Sequence, residues 1–208
     1  MTVDEIVQRV GERSRRLASG LPVAQAPLGS DFSLNGVVPA PASFRPAAVL
    51  VPLVRREAGI TVLLTQRTED MPSHAGQIAF PGGRQQKEDV DASDTALRET
   101  EEEVGLSRSF IDVIGQVDRY RTGTGYEITP VVGIVTPGFT IHADPREVAD
   151  VFEVPLGHFL DEKNHRIDSR TVPSGLQRRY YAMPYEGRYI WGATAGMLKN
   201  LQYILTAG

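Results

Sequence analysis

Residues 98–106 read Arg98-Glu99-Thr100-Glu101-Glu102-Glu103-Val104-Gly105-Leu106. Glu99, Glu102 and Glu103 stand at i, i+3 and i+4. In a helix turning about 100° per residue, that spacing stacks three carboxylates on one face, with neighbouring Cβ atoms about 5–6 Å apart. Charges that close repel: two unit charges about 4 Å apart cost on the order of 4 kcal/mol at an effective dielectric of about 20. A convergent set needs a cation, and oxygen-only donors suit a hard divalent ion. Taken alone, the run also reads as a solvated acidic helix, because glutamate is a good helix former. Leu97, Thr100 and Val104 supply the opposite face, Asp91 or Ser93 can cap the helix, and Gly105 closes it.

Upstream, Gln77-Ile78-Ala79-Phe80-Pro81-Gly82-Gly83-Arg84 reads as a short apolar strand running into a double-glycine turn. Glycines let backbone approach a ligand closely. Strand, glycine turn, acidic loop, carboxylate-lined helix and closing glycine together make a metal–phosphate site in a single segment. The string resembles the signature of the Nudix hydrolases: a glycine, a spaced acid, then Arg-Glu-aliphatic-x-Glu-Glu-x-Gly-aliphatic. Arg98, Glu99, Glu102, Glu103, Gly105 and Leu106 match it position by position. The chain departs from it in two places. From Gly83 to Arg98 the spacing is one residue longer than in the commonest form, so Glu88 and Asp89 flank the place of the loop acid and Asp91 lies just beyond. Thr100 replaces an aliphatic residue; its methyl can pack and its hydroxyl can bond back to a helix carbonyl.

The segment before the box resembles the extra signature of one branch, the coenzyme A diphosphatases. Leu63-Leu64-Thr65-Gln66-Arg67-Thr68 leads through Met71, His74 and Gly76 into Phe80-Pro81-Gly82-Gly83. Many members of that branch carry arginine where this chain has Pro72. Similarity continues in the stretches around Arg45–Leu53, Glu147–Leu156 and Ile190–Ala195, so it covers residues 45 to 205.

The resemblance implies a Nudix-type α/β/α sandwich with a mixed β-sheet. It implies Mg²⁺ or Mn²⁺, with Glu99, Glu102 and Glu103 as metal ligands. Glu102 is also a catalytic candidate, and Arg98 would tie down a carboxylate in its planar fork. Glu147 is a further catalytic candidate from a distant loop, against the alternative of an ordinary exposed turn. Arg67, His74, Gly82 and Gly83 are the substrate-binding candidates. Trp191 and Tyr189 can stack on adenine, but buried aromatic packing is the reading favoured for them. The implied reaction splits coenzyme A or a thioester of it into 4′-phosphopantetheine (or an acyl derivative) and adenosine 3′,5′-bisphosphate. The alternatives are a Nudix enzyme for another nucleoside diphosphate derivative, such as a dinucleotide or a nucleotide sugar, and a non-catalytic nucleotide-binding module.

With 208 residues, 41% hydrophobic and 23% charged, the chain suits one domain with a full core. A net charge of −4 argues against a nonspecific grip on nucleic acid. The absence of cysteine excludes disulfides, thiolate metal sites and cysteine nucleophiles. The first residues show no basic-then-apolar leader pattern and no apolar run reaches about 18 residues, so no membrane association and a cytoplasmic location are expected. Residues 1–45 read as a helix with a Thr2/Glu5 capping box and an Ile6/Val10/Leu17 face, followed by a proline-rich extended arm; residues 46–208 form the Nudix domain. A homodimer contact through the first helix is left open. Strands are expected at 47–55, 60–67, 78–80, 111–117, 128–135 and 151–154, and a short helix at 156–160. A hairpin of 179–183 with 188–191 across Glu186-Gly187 and a final helix at 194–205 complete the set.

Overall fold

A computed structural model describes residues 1–21, 29–30, 32–35, 43–70, 74–172 and 175–206. Pro22, Pro27, Pro39 and Pro41 of the expected arm, and Met71 and Pro72 of the extended signature, lie outside the described residues.

Continuous apolar runs build the centre. Strand β1 (Arg45–Arg56) pairs in parallel with β7 (Tyr126–Val135) from Arg45↔Tyr126 to Val54↔Val135. On its other edge β1 meets β2 (Gly59–Arg67) over Leu53–Arg56 only. The two strands then diverge. The opening between them is filled by β3 (Ile78–Ala79), which pairs with β2, and β4 (Gly82–Arg84), which pairs with Ala47–Val49 of β1. The double glycine expected as a turn is therefore strand, held because β1 has an unpaired stretch at that point. Two antiparallel strands, β5 (Ile111–Gln116) and β6 (Tyr120–Arg121), border β7, and β8 (Val148–Pro155) borders β2.

Both faces of this mixed sheet are covered. Val49, Val51 and Leu53 point into a core with Ile6, Val10, Leu198 and Leu205, from helices α1 (Val3–Ala18) and α4 (Ala193–Thr206). Ala48 and Leu50 pack on Ala96 of α2 (Ala92–Val104), and Val54 packs with Val104 and Leu106. Alternate residues of one strand thus serve opposite layers, which is why β1 reads as unbroken hydrophobicity. The result is the α/β/α arrangement read from the sequence, with the short helix α3 (Leu156–Leu160) packed on α4.

Helix α1 starts at the expected capping box: the Glu5 N–H donates to Thr2 Oγ1 (3.2 Å) and the Thr2 N–H to Glu5 Oε2 (2.7 Å). Ile6 and Val10 are fully buried, whereas Leu17 is exposed. The next inward position belongs to Arg13, which donates from Nε to Asp118 Oδ2 at 2.8 Å. Residues 3–18 therefore share one core with the sheet.

The chain end differs from expectation in one respect. The paired strands are β9 (Arg166–Thr171) and β10 (Gln177–Ala182), and the turn at Glu186-Gly187 carries only isolated bridges, Tyr185↔Arg188 and Ala182↔Trp191. Strand β9 is polar and exposed along most of its length, so it carries none of the alternation that marks a half-buried strand.

Because Ile6 lies in the shared core, Ile6→Ala should lower the unfolding free energy of the whole domain by about 2–5 kcal/mol in a single transition. Urea unfolding followed by tryptophan fluorescence and circular dichroism checks this; a separate early transition would show α1 to be an appendage.

Candidate active site

The acidic helix is built from its ends. Asp91 caps α2, accepting from the Asp94 N–H at 2.9 Å. Gly105 ends it at φ +68, where a Cβ would stand 2.9 Å from both Cβ and O of His142. That close approach matters. The N–H groups of His142 and Asp144 donate to the carbonyls of Val104 and Glu103, both at 2.9 Å, satisfying acceptors that a helix end leaves open. The same loop turns at Asp144, which accepts from the Glu147 N–H (3.1 Å), and the Glu147 carbonyl accepts from the Thr68 N–H (3.0 Å). A glycine after the signature helix thereby lets a loop some forty residues later deliver Glu147 to the end of β2.

Strand β4 faces the helix. The Gly82 N–H donates to Glu103 Oε2 at 3.1 Å. A Cβ on Gly82 would strike the Ala48 carbonyl and Val49 Cα, and one on Gly83 would stand 2.5 Å from the Glu99 carboxylate. Both glycines are needed for strand and carboxylates to touch.

Arg98 organises the acids. Its Nε and Nη2 grip Asp89 (2.7 and 2.9 Å), and its Nη1 donates to Glu99 (2.8 Å) and Glu102 (2.9 Å). Asp89 also accepts from the Gln86 N–H and the Thr95 hydroxyl. Of the two acids flanking the longer loop, Asp89 is the one turned inward. The Arg98 fork, with those further donors, holds its carboxyl well below the usual range. Burial pushes Glu99 up, against the Arg98 bond. Burial likewise pushes Glu103 up to about 7, opposed by Gly82 and Arg67 and reinforced by the charges of Glu99 and Glu147. Arg67 stands 3.7 Å from Glu103 and 3.9 Å from Glu147. The side chain of Glu103 is only 8% exposed, whereas Glu102 (58%) and Glu147 (47%) stand on the rim.

The donor set suits a divalent cation. Asp89, Glu99, Glu102, Glu103 and Glu147 are five carboxylates against two guanidinium groups, Arg67 and Arg98. Glu103 is raised first by its burial, and the neighbouring charges of Glu99 and Glu147 add to the shift. Among the described residues, no three acidic or histidine side chains are drawn together tightly enough to enclose an ion as they stand. Glu99 and Glu102 are turned onto Arg98 instead.

Beside β4 opens a cavity of about 450 Å³, within the range of small-ligand sites. Arg67, His74, Gly82 and Gly83 line it; the glutamates do not, and reach it only through the two glycines and Arg67. His74 adopts φ +59 and its Nδ1 lies 2.7 Å from Gln77 Oε1, so it shapes the loop into β3 as well as facing the cavity. Trp191 lines the cavity. Tyr189 does not; its hydroxyl donates to Asp168 at 2.6 Å.

Sequence reasoning missed two groups. Asp89 could be found only by knowing which loop acid Arg98 would meet. Arg84, Arg170, Arg178 and Arg179 also line the cavity, and no local pattern marks them.

Residues 44–174 match the family described as NUDIX domain. A protein described as uncharacterized Nudix hydrolase NudL, from Yersinia enterocolitica, is 40% identical over 199 residues, 95% of this chain and 96% of the relative. The NudL of Yersinia pestis is 39% identical over 161 residues, 77% of this chain and 79% of its own. A solved MutT/nudix family protein from Enterococcus faecalis aligns over 97% of this chain and 73% of its own, at 18% identity and a TM-score of 0.49.

The charge of Glu103 gives a pH signature. The folded state holds this proton more tightly than the unfolded chain, whose carboxyl has its ordinary value of 4.5. Metal-free stability should fall as pH rises from 4.5 to 7, and the cost should persist above 7. Glu103→Gln keeps an acceptor for the Gly82 N–H and removes the charge. In chelator at pH 8 it should be more stable than wild type by on the order of 2 kcal/mol, with the gap closing toward pH 4.5. Thermal melts across that range test it. Asp89→Ala should cost on the order of 2 kcal/mol, because it removes a buried, multiply bonded carboxylate while Arg98 keeps Glu99 and Glu102 as partners; denaturant midpoints test this.

Proposed function

The chain belongs to the Nudix hydrolases, and from that premise we propose that it cleaves the diphosphate of coenzyme A or its thioesters. The products are 4′-phosphopantetheine (or its acyl derivative) and adenosine 3′,5′-bisphosphate. As a Nudix hydrolase it splits phosphoanhydride bonds in nucleoside diphosphate derivatives; coenzyme A is the member of that class favoured here. The supporting observation is the wall of the cavity. Arg67, His74, Phe80, Gly82 and Gly83, which carry the extended signature, converge on that one surface beside the carboxylates.

A diphosphate resists hydrolysis because its anionic oxygens repel a nucleophile. A divalent ion, Mg²⁺ or Mn²⁺, held by Glu99, Glu102 and Glu103 would screen those oxygens and acidify a bound water. The chain's own groups do the rest. Arg67, lining the cavity and facing two carboxylates, receives a diphosphate oxygen. Glu147, half exposed beside Arg67, accepts a proton as the water oxygen bonds to phosphorus, with Glu102 as the second candidate for that role. The phosphorus–oxygen bridge breaks and its electron pair leaves on the departing phosphate. Arg98 acts as a positioning residue, anchored on Asp89 while it holds Glu99 and Glu102 in register. The complete Glu99/Glu102/Glu103 set favours catalysis over a module that only binds nucleotide.

Purified protein with Mg²⁺ or Mn²⁺ should consume coenzyme A and release both products, in preference to ADP-ribose and dinucleotides. Coenzyme A left intact while another of these is consumed would remove the specific assignment. Glu102→Gln and Glu103→Gln should each lower turnover by about 100-fold or more with the fold retained. Unchanged rates in both would refute the roles given to them.

A further inference from the structure

The chain carries a net charge of −4, yet one wall of its cavity is strongly basic. Arg67, Arg84, Arg170, Arg178 and Arg179 line it, and among the described residues no aspartate or glutamate does. Arg67 is committed to the carboxylate end through Glu103 and Glu147. The other four make no ion pair with a carboxylate among the described residues, although arginines elsewhere in the fold repeatedly do: Arg13 with Asp118, Arg56 with Glu153, Arg188 with Asp150.

Two of them are set against each other. Arg170 of β9 and Arg178 of β10 are direct partners across the ribbon. Like charges directly opposite on paired strands are destabilising, and among the described residues no carboxylate forms an ion pair with either. Arg170 lies 5.0 Å from the centre of the Trp191 ring, an attraction that leaves its charge in place. The guanidinium of Arg178 rests on Gly123, where a Cβ would stand 2.7 Å from Nη1. Glycine thus leaves room for Arg178 at the cavity wall. An arginine fork matches the geometry of a phosphate dianion, and two forks carried at facing positions of a ribbon can each offer it charge-assisted bonds.

We propose that Arg170 and Arg178 form a second anion subsite in the cavity that takes a phosphomonoester on the ribose of the nucleotide. Resting on the coenzyme A reading, this adds a reason for it: the diphosphate belongs beside Gly82, Gly83 and Arg67, so the ribbon arginines serve a different phosphate. Trp191, against Arg170, then faces the nucleoside carrying it. The ligand chemistry is a ribose phosphate, which a 3′- or a 2′-phosphorylated nucleotide can supply.

Calorimetric titration of the full chain with AMP, adenosine 3′,5′-bisphosphate and adenosine 2′,5′-bisphosphate tests the subsite without relying on turnover. The 3′,5′-bisphosphate should bind about tenfold or more tightly than AMP. Arg170→Gln and Arg178→Gln should each erode that advantage. The double variant should bind the two alike with AMP affinity unchanged, and Arg178→Lys should recover part of the loss. Most of the ribbon is exposed and the substitutions remove a like-charge pair, so melting temperatures should not fall below the wild-type value, which confirms that folding is intact. Equal affinities in the wild-type protein, or an advantage that survives the double substitution, overturn the subsite. A preference for the 2′,5′ isomer that the double variant abolishes upholds the subsite and overturns the coenzyme A reading instead.

Discussion

The bond from the Gly82 N–H to the Glu103 carboxylate is the contact on which the site depends. It joins the strand inserted between β1 and β2 to the helix that carries the acids. It also accounts for the glycine: the close approach of Gly82 to Ala48 and Val49 leaves no room for a side chain. The carboxylate it holds is buried, and a buried charge with one backbone donor and a distant arginine is poorly compensated. The raised pKa of Glu103 expresses that deficit. A fold that places an under-neutralised carboxylate at the edge of a cavity is prepared for a cation.

Charge is divided along the cavity. At one end five carboxylates are organised by Arg98 and Arg67; at the other, arginines gather without acids among the described residues. In an acidic protein this separation concentrates positive potential at one end, which suits an anion, and keeps the negative excess at the other, which suits a cation. Arg67 touches both regions. Its guanidinium spans Glu103 and Glu147 while it lines the cavity, so it links the acidic cluster to the cavity wall.

Packing supports this arrangement from both sides. Helix α2 lies on Ala48, Leu50 and Val54, and the opposite face of the same strand is buried by α1 and α4. Burial of Ile6 and Val10 makes the first helix part of the layer that holds the sheet.

Local periodicity and local chemistry made much of this legible in the chain itself. The i, i+3, i+4 glutamates, the Asp91 and Gly105 helix ends, the Thr2/Glu5 box and the apolar strands β1, β2 and β7 each depend on residues a few positions apart. Their physics can therefore be read in one dimension. The tertiary structure alone decided that Asp89 meets Arg98, that the loop docked on the end of α2 brings Glu147 to Arg67, and that Arg170 faces Arg178 beside Trp191. Those contacts join distant or polar, unpatterned segments. Their energy lies in charges brought together by folding, and such charges leave no period along the chain.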